Sequence, residues 1–129
     1  MIPIYKPLLK KYKTSAIKAI ESEWISNHGI YVKLASEKLK KIINAKHVIL
    51  MNNGTSATHC LYISLKFKYP NIKKIYIPNN VFIAPWNCGL CEYEKNMFEV
   101  MKMNENTLNI DTSKDYILSL DKNAAVVIV

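Results

Sequence analysis

The 129-residue chain contains no arginine and no glutamine. All 18 basic side chains are therefore lysine, set against 10 acidic ones for a net charge of +8. Arginine supplies the planar fork that reads phosphates and base edges in pairs of hydrogen bonds. Its absence removes the usual basis of a nucleic-acid interface, and none is expected. The lysines are also dispersed, the densest group being Lys38, Lys40 and Lys41, so no basic stripe stands out. Glycine, at 3, and proline, at 5, are scarce, which excludes collagen-like and low-complexity sequence. No stretch reaches the ~18 continuous apolar residues of a membrane span, so no membrane partner is expected. Residues 1–13 lack an apolar core followed by small residues, so no secretory signal is expected. Three cysteines without such a signal indicate a reducing, cytoplasmic setting. Cys88 and Cys91 have the spacing of a metal-binding pair, but no second pair exists and His47 and His59 are isolated. No metal is expected, and the thiols read as small buried side chains on a helix.

What is present is globular. Half the residues are hydrophobic and 22% are charged, enough for one domain over residues 1–129 with no internal boundary. Leu8, Leu9, Tyr12, Ala16, Ile17, Ala19, Ile20 and Trp24 fall on one helical stripe. Ser26, Asn27, His28 and Gly29 stop it, with Gly29 suited to a left-handed position. Val32, Ala35, Leu39, Ile42 and Ile43 predict a second amphipathic helix. Residues 47–51 are almost wholly apolar and predict a strand buried on both faces. After Asn52, Asn53 and Gly54 the period turns helical, with Ala57, Cys60, Leu61, Ser64 and Leu65 on one face. Strands follow at residues 75–77, 98–103 and 124–129, with helices at 81–91 and 112–120, Pro85 falling in the first turn of its helix. Strands alternating with helices predict an α/β fold on a parallel sheet. The sequence stops at Val129 inside an apolar strand pattern, as a truncated chain would.

Chemistry concentrates where strand gives way to helix. Asn53, Gly54, Thr55 and Ser56 form a tight turn whose free N–H groups and helix dipole suit a phosphate. It lacks the glycine and lysine spacing of a nucleotide P-loop and of a dinucleotide fingerprint. Gly54 as an ordinary turn former, with Thr55 and Ser56 as helix caps, would account for the same turn without a ligand. A second turn, Pro78 to Ala84, would open on the same carboxyl edge of a parallel sheet. Phe82 would stand there free to stack on a flat ring, or pack as an ordinary core aromatic.

The ordered set of segments resembles the DegT/DnrJ/EryC1/StrS sugar aminotransferases, pyridoxal-phosphate enzymes of fold type I. Ile2, Pro3, Ile4 and Pro7 look like the family's start, and residues 24–32 are similar to its GW…G…V segment. Asn53-Gly54-Thr55-Ser56-Ala57 is similar to its S-G-T-x-A turn, with Asn for Ser. Residues 77–84 resemble its P-x-x-T-F-x-A segment, with Val81 for Thr. Residues 124–129 resemble the strand before its His-containing loop. The resemblance implies the amino-terminal part of a three-layer α/β/α large domain. It implies that Gly54, Thr55 and Ser56 hold the phosphate of pyridoxal 5'-phosphate, that Phe82 stacks on its ring, and that Trp24, Ser26 and Gly29 border a nucleotide-sugar. It further implies glutamate as amino donor and a homodimer. The family's cofactor-linking lysine and pyridinium-pairing acid lie further along than Val129, and Asp111, Asp115 and Asp121 have no matching context. No catalytic residue is therefore assigned, and the chain alone is expected to be inactive. The alternative is a non-catalytic α/β module that binds a phosphate or a partner chain.

Overall fold

The computed structural model describes residues 9–128, in two compact units divided in sequence after Leu50. The predicted opening segment from Ile2 to Pro7, Leu8 of the first stripe, and Val129 lie outside the described residues.

The first unit is helical. A 3-10 turn, Lys10–Tyr12, leads into α1, Lys13–Glu21. The Ser22 hydroxyl donates to the Ala19 carbonyl at 2.7 Å, and Glu23 turns left-handed at φ 57°. The helix thus stops short of Trp24, because a left-handed residue breaks its hydrogen-bond ladder. Gly29 is not the left-handed residue that its position predicts. It has φ −64° and ψ 148° and caps the start of α2, Ile30–Ile43. What requires glycine there is close approach, since an added Cβ would lie 2.9 Å from the Trp24 carbonyl oxygen. α2 ends on Asn44, left-handed at φ 50°, and the N–H groups of Asn44 and Ala45 both reach the Lys40 carbonyl. Neither α1 nor α2 contains a buried residue.

Residues 47–51 form no strand, contrary to expectation. Ile49 is 84% exposed. An apolar run states that it should be buried, not what buries it, and a strand exists only when a neighbour takes its hydrogen bonds.

The second unit is built on a parallel sheet. In chain order it contains α3 (Gly54–Lys68), β1 (Lys74–Ile77), α4 (Ile83–Glu92), β2 (Phe98–Val100), α5 (Lys114–Ser119) and β3 (Ala124–Val126). The strand order is β2-β1-β3, all parallel, with Ile75 opposite Phe98 and Ala125. β2 and β3 are shorter than predicted. Met103 leaves the sheet to bridge Ile110 in antiparallel fashion. The crossover from β1 to β2 runs one way and that from β2 to β3 returns past β1, so right-handed connections put α4 and α5 on opposite faces. The Tyr76 hydroxyl accordingly accepts from the Asp121 N–H at 3.2 Å, on the α5 side. This is the α/β architecture expected.

The core lies between β1 and the α3–α4 pair. Tyr62, Ile75, Cys88 and Val127 form it, with Leu65, Ile72, Tyr93 and Phe98 packed around. The buried face of α3 is Thr58, Tyr62 and Leu65, one step round from the predicted stripe; Cys60, Leu61 and Ser64 are exposed. α3 is apolar nearly all round, so its pattern does not select a face, and the tyrosine ring does. Cys88 is buried whereas Cys60 and Cys91 are exposed. α4 turns Cys88 and Glu92, four residues apart, toward α3, which leaves Cys91 off that face.

Tyr62 is fully buried and its ring meets Tyr93 and Phe98 edge-on at 6.2 and 6.3 Å. Its hydroxyl has no partner among the described residues, and burial pushes its pKa up to about 12. A buried donor without an acceptor costs stability. Tyr62→Phe should therefore leave the melting temperature unchanged or raise it, by about 1 kcal/mol of stability at most. A clear fall in a thermal melt would show that the hydroxyl has an acceptor.

Candidate functional site

α3 descends to β1 through the short connection at residues 69–73, so its start lies toward the carboxyl edge of the sheet. α4 leaves that same edge directly after β1. The two helices run parallel. The Cys88 thiol donates to the Thr55 carbonyl at 3.5 Å, and four residues on in each helix a His59 ring nitrogen meets Glu92 at 2.9 Å. Two turns further along α3, Lys66 donates to the backbone carbonyl of the same Glu92 at 2.7 Å. The His59 contact, with Lys66 nearby, holds the Glu92 carboxyl below its ordinary value of 4.5. These ties open both helix starts on one edge, where ligands of α/β sheets gather.

The start of α3 is an anion-ready turn. Asn53 is its N-cap, and its side-chain oxygen accepts the Ser56 N–H at 2.8 Å. The Ala57 N–H goes to the Asn53 carbonyl at 3.2 Å. Among the described residues the N–H groups of Gly54 and Thr55, and the hydroxyls of Thr55 and Ser56, have no partner. No acidic residue stands in the first turn, and a Cβ on Gly54 would meet nothing within 4 Å. Two free amides, two free hydroxyls, the dipole of a 15-residue helix and open space form a donor set for a phosphate-sized anion. Asn53 is the residue whose role the sequence reading missed. Asparagine immediately before a helical run is the available signal for it.

Phe82 is the N-cap of α4, with φ −60° and ψ 152°. It is 79% exposed, so it is no core aromatic. Gly54, Thr55, Ser56 and Phe82 all belong to the second unit, at the paired helix starts. A groove of about 540 Å³, with Lys68, Tyr69, Ile72 and Lys122 among its walls, lies at the opposite, amino edge. The chemistry of the helix starts makes the carboxyl edge the candidate site.

Trp24, Ser26 and Gly29 belong to the first unit and form one tight loop. The Ser26 carbonyl accepts the Gly29 N–H at 3.0 Å, and its hydroxyl accepts the His28 N–H at 3.2 Å. An added Cβ on Gly29 would stand 3.2 Å from Trp24 Cδ1. Gly29 therefore lets the indole, 60% exposed overall, lie against the backbone. Among the described residues no group of three or more histidine, cysteine or acidic side chains could hold a metal ion, and no helix is long and apolar enough to cross a membrane.

The sequence pattern of the DegT/DnrJ/EryC1/StrS aminotransferase family matches residues 8–129. A protein from Vibrio cholerae named GDP-perosamine synthase is 28% identical over 97 residues, 69% of this chain and 25% of that protein. Its namesake from Escherichia coli O157:H7 is 28% identical over 87 residues, 67% of this chain and 23% of its own length. The chain spans about a quarter of the length of the curated relatives it matches. No solved structure matches it.

Proposed function

Because the chain belongs to the DegT/DnrJ/EryC1/StrS aminotransferase family, we propose that it forms the part of a nucleotide-sugar aminotransferase that seats pyridoxal 5'-phosphate. The observation that carries this reading is the pair of unpartnered amides at Gly54 and Thr55, flanked by two free hydroxyls at the start of α3. These groups fit a dianionic phosphate, and the absence of an acidic side chain in that turn leaves it unopposed. Phe82, exposed at the neighbouring helix start, is the residue that would hold the pyridine ring. When bound, the cofactor supplies the electron sink that lets an amino group leave glutamate for a keto sugar. Asn53 keeps the turn closed, while Gly54, Thr55 and Ser56 orient the phosphate. Trp24, Ser26 and Gly29 border the nucleotide-sugar.

The setting is cytoplasmic and the assembly a homodimer. No lysine of this chain stands in the motif that links the cofactor covalently, so no catalytic role is assigned to any of the 18 lysines. A second reading, a non-catalytic α/β module that binds a phosphate or a partner chain, uses the same turn.

Calorimetric titration tests the site. Pyridoxine 5'-phosphate carries the phosphate and ring but no aldehyde to react with the 18 lysines. It should bind at least tenfold more tightly than pyridoxine, the phosphate's charge-assisted bonds being worth roughly 1.5–3 kcal/mol each. Thr55→Val should weaken it, and Phe82→Ala should cost about 1 kcal/mol, roughly fivefold. Equal affinity for the two compounds would remove the phosphate site.

A further inference from the structure

Phe82 has no aromatic neighbour among the described residues and is largely exposed. Its place must therefore be set by the backbone that carries it. Outside the helices and strands, residues 78–81 make no backbone–backbone hydrogen bond among the described residues, and Phe82 itself opens α4. One side chain ties this turn down: Asn80 Nδ2 donates to the Leu108 carbonyl at 3.3 Å.

The far side of that bond is a loop held by its own hydrogen bonds. Asn104 Oδ1 accepts the N–H groups of Asn106 and Thr107 at 3.0 and 3.2 Å. The Asn104 and Asn109 backbones join at 2.8 Å, and the Leu108 N–H reaches the Asn104 carbonyl at 2.9 Å. Met103 bridges Ile110 beneath. Leu108 is held left-handed at φ 56°, a conformation that leucine adopts only when its surroundings impose it. In that conformation its carbonyl meets Asn80. Packing between the two segments is loose, for Pro78, Val81, Met103, Leu108 and Ile128 enclose a cavity of about 120 Å³. A directional bond across a loose contact carries more of the positioning than it would in a filled core.

We propose that Asn80 is a positioning residue, whose bond to Leu108 fastens the 78–82 turn to the locked 103–110 loop and so fixes where Phe82 stands. This rests on the reading of Phe82 as the ring-stacking residue. The tie also gives the 103–110 loop a role that neither its sequence nor its position outside the sheet announces.

Two readouts test it, on the wild-type chain and on Asn80→Ala and Asn80→Asp, the latter matching asparagine in size without the donor. Backbone ¹⁵N order parameters at Val81 and Phe82 should be near 0.85 in the wild type and fall below about 0.6 in both variants. Those of Ile75 to Ile77 should stay unchanged, which separates local loosening from unfolding. Pyridoxine 5'-phosphate should bind Asn80→Ala about fivefold more weakly, the same loss as for Phe82→Ala. The double variant should lose no more, because both changes remove one interaction. Inorganic phosphate should bind all of them alike. Unchanged order parameters would overturn the tie. Unchanged affinity in Asn80→Ala, or an additive loss in the double variant, would overturn the positioning role. If Phe82→Ala itself costs nothing, the ring-stacking reading fails and the positioning role falls with it, while the order parameters still report whether the tie exists.

Discussion

Replacing Gly89 by alanine should destabilise the sheet-bearing unit by about 2–3 kcal/mol, the cost of forcing a methyl into a filled core. A Cβ there would lie 2.7 Å from two carbons of the Phe98 ring and 2.9 Å from Tyr62 Cζ. Neither ring can swing aside. Tyr62 is fully buried, and Phe98 is wedged between Tyr62 at 6.3 Å and Trp86 at 6.0 Å. Alanine gains about 1 kcal/mol over glycine in helix propensity, which offsets only part of a clash with three ring atoms. For a unit of this size each kcal/mol moves the melting temperature by about 4–8 °C, so a fall of roughly 10 °C or more is expected. Gly54→Ala is the control, since a Cβ there meets nothing within 4 Å and its melt should match the wild type. A Gly89→Ala melt that also matches would mean that α4 does not sit on these rings.

Amide hydrogen exchange should separate the two units by roughly a thousandfold in protection, the span from locally open to globally protected structure. β1 sits between two strands with Ile75, Tyr76 and Ile77 buried, so its amides should open only with the whole unit. α1 has 9 residues and α2 has 14, and neither contains a buried side chain. Helices of that length are marginal in water without tertiary cover. Their amides should exchange close to the rate of an open chain. Exposed Trp24, Ile25, Ile30 and Ile42 form apolar surface that favours association, so the sedimentation coefficient should rise with concentration. Protection in α2 equal to that in β1, in a dilute monomer, would show cover that its exposed side chains do not reveal.

Much of this architecture was legible in the sequence, for reasons that differ by element. Ile75, Tyr76 and Ile77 read as a strand, and β1 is that strand, buried on both faces because a central parallel strand has no solvent side. Gly54 to Ser56 and Phe82 read as edge turns because breakers directly follow or precede periodic runs. The same logic failed at residues 47–51, where the apolar pattern is equally strong but strand formation depends on a neighbour that no local pattern encodes. It failed at Gly29, where a glycine after a helix suggests a left-handed residue, while Glu23 takes that conformation and Gly29 serves close approach to Trp24. On α3 the stripe was off by one step because apolar residues surround the helix and ring size decides the face. Asn80 and Leu108 were invisible, since a bond between residues 28 apart leaves no periodic trace.

The central claim is that the start of α3 is a phosphate seat. Titrating ¹⁵N-labelled chain with pyridoxine 5'-phosphate and following every amide tests it most directly. Saturable shifts should concentrate on Gly54, Thr55 and Ser56, with a second set at Phe82, and pyridoxine should leave the first set unmoved. Shifts scattered over the lysine-bearing faces of α1 and α2, with Gly54 and Thr55 unmoved, would contradict it.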